Sequence, residues 1–231
     1  MREFFTLFLV MPLVGAGQAK DIKIHVALKG VPDGQKFYLF RAVNWDSAIA
    51  KDGQFDLTYH KFSSEPEATA ITTGDKEPGI LCWVENQNIT ITATYPDFMV
   101  TASTGSVTQK EFDVLAVTIK PDQVALKKLR REMFSEKDPV KKELARTKLD
   151  SANLIYKKKI TDFIYANPGS SVSTFMLWIS TSYTFTGSEI RELYARLDKS
   201  QQESEMGKSR IKTLEMLEQL ESQMKNSKPK N

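Results

Sequence analysis

From residue 20 to about residue 104 the apolar side chains fall on alternate positions. Ile22, Ile24, Val26 and Leu28 are interleaved with Lys23, His25 and Lys29, the period-2 signature of a strand that buries one face. Val31-Pro32-Asp33-Gly34 follows, where proline presets φ and glycine can take φ > 0. Phe37 and Leu39 then open a second strand, so a hairpin is predicted. Asp52-Gly53 turns into Phe55-Asp56-Leu57-Thr58-Tyr59, and further strands fit Ala68 to Thr73, Ile80 to Glu85, Ile89 to Ala93 and Phe98 to Ala102. Short strands with turns every roughly 8 to 12 residues predict an antiparallel β-sandwich or an open barrel.

The period changes at Gly105. Ser106-Val107-Thr108-Gln109 has the form of a capping box, in which the two side chains satisfy each other's backbone donors. A helix is expected from there toward Ile119, broken or bent at Pro121, resuming through Leu126, Leu129 and Met133. Asp138-Pro139 predicts an N-cap with proline at the first helical position. The helix it starts should turn Val140, Leu144, Ala152, Ile155, Phe163 and Ile164 inward and stop at Asn167-Pro168-Gly169. Ser170 or Ser171 begins another, in which Phe175, Met176, Leu177, Trp178 and Ile179 leave almost no polar side, so most of it must be covered. Thr186 to Glu189 and Ser200 to Glu203 read as two more capping boxes. The last helix aligns Ile211, Leu214, Leu217, Leu220 and Met224 on one face. The fold class is thus α+β: the sandwich or barrel first, a C-terminal helical bundle after it.

The first nineteen residues change the picture. An apolar run from Phe4 to Ala16, then Gly17-Gln18-Ala19, has the order of a secretory signal peptide. It contains Pro12 and is too short to span a bilayer, which takes about 20 apolar residues. The expected organisation is a signal peptide over 1–19, a β domain over 20–105, a helical domain over 106–225 and a disordered tail over 226–231. The mature chain is expected in the periplasm or outside the cell, without a transmembrane segment. Charge divides at the same boundary. Lys20 to Val107 carries 8 basic and 11 acidic residues, net −3; Thr108 onward carries 23 and 17, net +6.

The chemistry is sparse. Cys82 is the single cysteine, so no internal disulfide can form. It shares a strand face with Ile80 and Val84, where a small buried hydrophobe is expected. His25 and His60 fall on the polar phase of their strands, too far apart to suggest a metal site. There is no nucleophile elbow, phosphate loop or dinucleotide glycine pattern. The basic runs Lys127-Lys128 with Arg130-Arg131, and Lys157-Lys158-Lys159, have acidic neighbours and read as solvated helix faces, with attraction to anionic lipid headgroups as the alternative. An exported protein with no groove-reading elements among its bases is not expected to bind nucleic acid. No cofactor and no catalytic residue are assigned, and the chain is not expected to be an enzyme.

Several landmarks fall together in one order: Asp46-Ser47-Ala48 leading to Asp52-Gly53-Gln54-Phe55, then Trp83-Val84-Glu85-Asn86-Gln87-Asn88-Ile89-Thr90-Ile91, then Gly105-Ser106 with Gln109 and Glu111, then Phe163-Ile164 with Asn167-Pro168. This order resembles the domain of unknown function 4369. The resemblance implies an envelope protein in which such a domain precedes a thioredoxin-like disulfide reductase domain, with the helical half as the linking segment. The Cys-x-x-Cys pair of that reductase has no counterpart here, so the resemblance carries no redox residue over to this sequence.

The expected function is therefore an exported, non-catalytic interaction or accessory module of the bacterial envelope, associated with a separate thiol-disulfide redox partner. The alternative is a periplasmic small-ligand or glycan-binding protein that uses sandwich loops. Candidate partner contacts are Trp45, in a loop between strands, and the stripe Ile211, Leu214, Leu217, Leu220 and Met224. That stripe either folds back on the helix containing Trp178 or stays open for an envelope partner.

Overall fold

The computed structural model describes residues 20–40, 46–74, 79–179 and 185–226, with backbone only for Leu217 and Leu220–Asn226. The expected signal segment, Trp45 and residues 227–231 lie outside them. The front half has eight strands: β1 (Lys20–Lys29), β2 (Lys36–Phe40), β3 (Asp46–Ile49), β4 (Gln54–Lys61), β5 (Glu67–Thr72), β6 (Ile80–Val84), β7 (Ile89–Thr94) and β8 (Met99–Thr104). They form two four-stranded sheets, ordered β4-β1-β7-β8 and β3-β2-β5-β6. The alternating residues of β1 all point into the layer between the sheets, where Ile22, Ile24 and Val26 have no exposed surface. Cys82 lies in the same layer with Ile80 and Val84.

Two features depart from the sequence reading. The turn at Pro32-Asp33-Gly34 forms, with Gln35 N–H donating to the Pro32 carbonyl at 3.3 Å, but it does not make a hairpin. Instead β1 and β2 belong to opposite sheets. Both strands have one apolar face, and facing each other across the sandwich buries both at once. Phe37 of β2 and Phe55 of β4 accordingly stack across the layer, 4.4 Å between centroids. The second departure is a parallel pair, β1 with β7, Ile24 opposite Ile89, among otherwise antiparallel ladders. The chain returns to the first sheet from the second, so no tight turn imposes a direction on β7. The short strand β3, which the alternation did not predict, is an edge whose side chains are only partly covered.

Each sheet has two edges, and exposed edges invite pairing with other chains. On one side Asp46 of β3 accepts the Thr58 N–H of β4 at 2.6 Å. On the other side helix α1 (Val107–Ser135) spans both remaining edges. Its Gln109 takes the Trp83 N–H of β6 at 2.7 Å, Asp113 accepts from Ser103 of β8 at 2.6 Å, and Lys120 reaches the Asp97 carbonyl at 3.2 Å.

The helical half continues with α2 (Pro139–Ala166), α3 (Ser171–Ile179), α4 (Gly187–Arg196), α5 (Lys199–Glu203) and α6 (Glu205–Asn226). Helices α1 and α2 form an antiparallel hairpin, with Asp138 capping α2 through Val140 N–H at 2.8 Å and Lys141 N–H at 3.1 Å. Pro121 does not break α1, which runs through it. The inward set expected for α2 is corrected: Leu149, Ile160 and Ile164 are buried, whereas Val140, Leu144 and Ile155 are exposed. Val140 and Leu144 lie toward the hairpin tip, beyond the layer that could bury them. Helix α3 is central, buried from Val172 to Leu177, although Trp178 itself is half-exposed. Thr186 and Glu189 form the predicted reciprocal capping box. The box expected at Ser200 is absent; α5 starts after Asp198, and Ser204 accepts the Gly207 N–H in the first turn of α6.

The two halves share a core. Trp83, on the outer face of β6, is fully buried among helical residues including Leu115, Ile119 and Met176, and meets the Phe175 ring edge-on at 5.2 Å. Sheet β3-β2-β5-β6 is thus covered on both faces at its β6 end: by the other sheet inside and by helices outside. No helix among the described residues is long and apolar enough to cross a membrane.

Candidate functional site

The residues where strand gives way to helix are tied most densely. The expected capping box at Ser106 is only half made. Ser106 Oγ accepts the Gln109 N–H at 2.9 Å, but the Gln109 side chain does not fold back. Buried in the interface, it accepts from Trp83 N–H and donates to the Leu81 carbonyl at 3.3 Å and Asp113 Oδ1 at 2.8 Å. Its place at the helix start is taken by Glu85, just past β6, whose carboxylate accepts the Thr108 N–H at 2.8 Å and the Ser106 hydroxyl at 2.9 Å. Burial tends to raise the Glu85 pKa, but these donors outweigh it and hold the carboxyl below the usual glutamate range. One turn along α1, Glu111 accepts from Ser170 at 2.5 Å, tying in the start of α3. This constellation contains three carboxylates, Glu85, Asp113 and Glu111, and one amide, and each is engaged by a donor or acceptor of a neighbouring element or its own helix. What it does chemically is fix the helical half on the sandwich.

The residues singled out in the sequence are dispersed. Cys82 is fully buried, and burial, with the nearby Asp113 charge, pushes its thiol up to about 12. His25 pairs with Asp56 at 2.8 Å and His60 with Asp21 at 2.6 Å, across the exposed face of β1 and β4. Among the described residues no three His, Cys, Asp or Glu side chains converge as a metal site would require. Ile211 is half-buried and Leu214 is buried in the helical core, so the described part of that stripe folds back; the side chains of Leu217, Leu220 and Met224, like Trp45, fall outside the described set.

A polar crevice of about 210 Å³ opens where the β4–β5 loop meets the C-terminal helices. Glu65, Ser171, Thr174, Ser200, Gln201 and Ser204 line it with Pro66 and Met206. The Glu65 carboxylate receives the Glu205 N–H at 3.2 and 3.3 Å, and Thr174 donates to Gln201 at 2.9 Å. Below the loop Lys61 is buried, its ammonium donating to the Glu65 carbonyl and 3.4 Å from Glu67 Oε1, while Tyr59 donates to Glu67. Sequence reasoning missed this cluster; two glutamates flanking a proline in a polar stretch give no signal that a lysine is buried beneath them.

Apolar side chains are also left uncovered. On α1, Val114, Val117 and Val124 are exposed on one face while Leu115, Ile119 and Leu126 are buried on another. On α2, Leu154 and Ile155 are exposed as well. Farther out, past Leu126 and Leu149, none of residues 127–148 is buried.

No curated protein and no solved structure matches the chain. A family model does match, from Ile22 in β1 to Phe112 in the second turn of α1. The matched residues therefore include Glu85, Ser106 and Gln109 and leave out most of the helical half. The sandwich with the first turns of α1, residues 22–112, matches the family described as Domain of unknown function (DUF4369).

Proposed function

We propose that the protein is an exported, non-catalytic interaction or accessory module of the bacterial envelope that works with a separate thiol-disulfide redox partner. The observation that carries this reading is the uncovered apolar face of α1, where Val114, Val117 and Val124 share one side of a helix whose opposite side is already buried. Scattered single exposed hydrophobes need no explanation, but a row of three along one face supports a docking surface. The DUF4369 match supports the envelope setting through the resemblance described above, and the expected signal segment supports export. The test is capture from periplasmic extract by wild-type protein and by a Val114→Glu, Val117→Glu variant. A redox protein captured by the first and lost by the second, at equal melting temperature, is the expected result; an identical captured set refutes the assignment of this face.

The crevice favours a second reading, a binding protein for a small polar ligand. Its hydroxyl and amide lining suits a polyhydroxylated molecule, and Glu65 and Pro66 come from a sandwich loop. Thermal-shift screening against monosaccharides and polyols tests it, with Gln201→Ala expected to abolish any stabilisation seen.

A further inference from the structure

We propose that the tip of the α1–α2 hairpin docks on an anionic lipid bilayer surface. Residues 127–148 form a projecting arm. About nine residues of α1 extend past Leu126, some 14 Å at 1.5 Å per residue. The arm carries nine basic and four acidic residues, net +5. It therefore holds nearly all of the +6 of the helical half, while the sandwich half is net negative.

Two of its four acids serve the turn rather than the bases. Glu136 accepts the Lys137 and Asp138 N–H groups at 2.8 and 2.9 Å, and Asp138 caps α2. Within the arm Lys128 pairs with Glu132 at 3.9 Å, whereas in the other basic run all three, Lys157, Lys158 and Lys159, pair with Glu189, Asp162 and Asp122. Charge at the tip is joined to apolar surface. Phe134 in the last turn of α1 and Val140 in the first turn of α2 are 75% and 79% exposed, with Leu144 one turn further at 56%. Phe134 and Val140 flank the connection at the far end of the arm.

Basic residues around exposed large hydrophobes at a convex end are what an anionic bilayer accepts. The headgroups take the charge, and the acyl boundary takes the side chains. A rigid acidic protein would have to offer a socket for the tip, whereas a fluid surface deforms around it. The opposite charge of the sandwich would orient the arm toward the membrane. This proposal is independent of the protein-docking reading, because Val114, Val117 and Val124 all precede the arm.

Co-flotation of the full-length mature chain with vesicles tests it. The protein should float with vesicles of phosphatidylcholine mixed equally with phosphatidylglycerol, stay behind with phosphatidylcholine alone, and detach at high salt. Each basic residue near the surface contributes about fivefold. A Lys127→Glu, Lys141→Glu, Lys142→Glu variant should therefore bind at least about a hundredfold more weakly. Phe134→Ser with Val140→Ser should weaken binding further at salt concentrations where charge is screened. All these positions are exposed, so the variants should melt with the wild type. The Val114→Glu, Val117→Glu protein should still float. Equal flotation with both vesicle types, no flotation with either, or undiminished binding by the triple variant would overturn the proposal. So would a tip that captures only an acidic protein.

Discussion

Replacing Gln109 by leucine should be among the most damaging single changes to the join between sandwich and helices. Leucine has a similar volume and is at least as good a helix former, so the cost is polar. The Trp83 N–H would be left buried without its acceptor, which costs about 1–3 kcal/mol. The Leu81 carbonyl loses a long bond of 3.3 Å, about 0.5–1 kcal/mol. Asp113 keeps the Ser103 hydroxyl but loses one charge-assisted bond, a further 1–2 kcal/mol roughly. Allowing for non-additivity, the loss is about 3–5 kcal/mol. A chain of this size shifts its Tm by about 2–4 °C per kcal/mol, so Gln109→Leu should melt roughly 10 °C early. Circular dichroism melts against wild type and an exposed neighbour control, Lys110→Leu, read this directly. Gln109→Glu should be no rescue, because a carboxylate would face Asp113 and offer the Leu81 carbonyl no proton. Should Gln109→Leu melt within about 2 °C of Lys110→Leu, the side chain is not the clasp its geometry suggests.

Two further outcomes follow from the same region. Glu85 has a folded pKa held below its unfolded value, so its contribution is complete above the unfolded pKa, near 4.3, and fades as pH falls through the folded pKa. Urea melts in that acid window should show a shallower pH dependence for Glu85→Gln than for wild type, and superimposable slopes would refute the role. Cys82, with its thiol pushed up to about 12, should resist iodoacetamide in the folded protein at neutral pH and react in urea. Rapid stoichiometric labelling of the folded protein would contradict its burial.

Much of the fold was legible from periodicity. The alternation at Ile22, Ile24, Val26 and Leu28 located a strand and its buried face, and Asp138-Pro139 marked a helix start to the residue. What turn chemistry could not say is which sheet the chain enters next. Pro32-Asp33-Gly34 reverses the backbone equally well within one sheet or between two, and only the long-range packing of Phe37 on Phe55 decides. The same ambiguity hid the clasp. Ser-x-x-Gln has one local appearance whether the glutamine folds back on its own helix or reaches a strand 26 residues earlier. For α2, the apolar spacing shows which residues could be buried but not where the neighbouring layer ends, so Val140 and Leu144 have the spacing of a core that does not extend to them. Lys61 left no trace, since a lysine ending a strand is ordinarily solvated.

The position of Gln109 also bears on the order in which the molecule can be completed. A chain that emerges from its N-terminus presents all eight strands before the helix that closes β6 and β8 has arrived. In that interval the Trp83 indole and the outer N–H groups of β6 face solvent, and the sandwich has two open borders. The sequence boundary at Gly105, where composition and periodicity both change, therefore does not coincide with the boundary of the folding unit. The matched family segment runs past it and ends only after the first turns of α1. A single glutamine thus ties the outer edge of the last strand of one sheet to the helix that follows the sandwich.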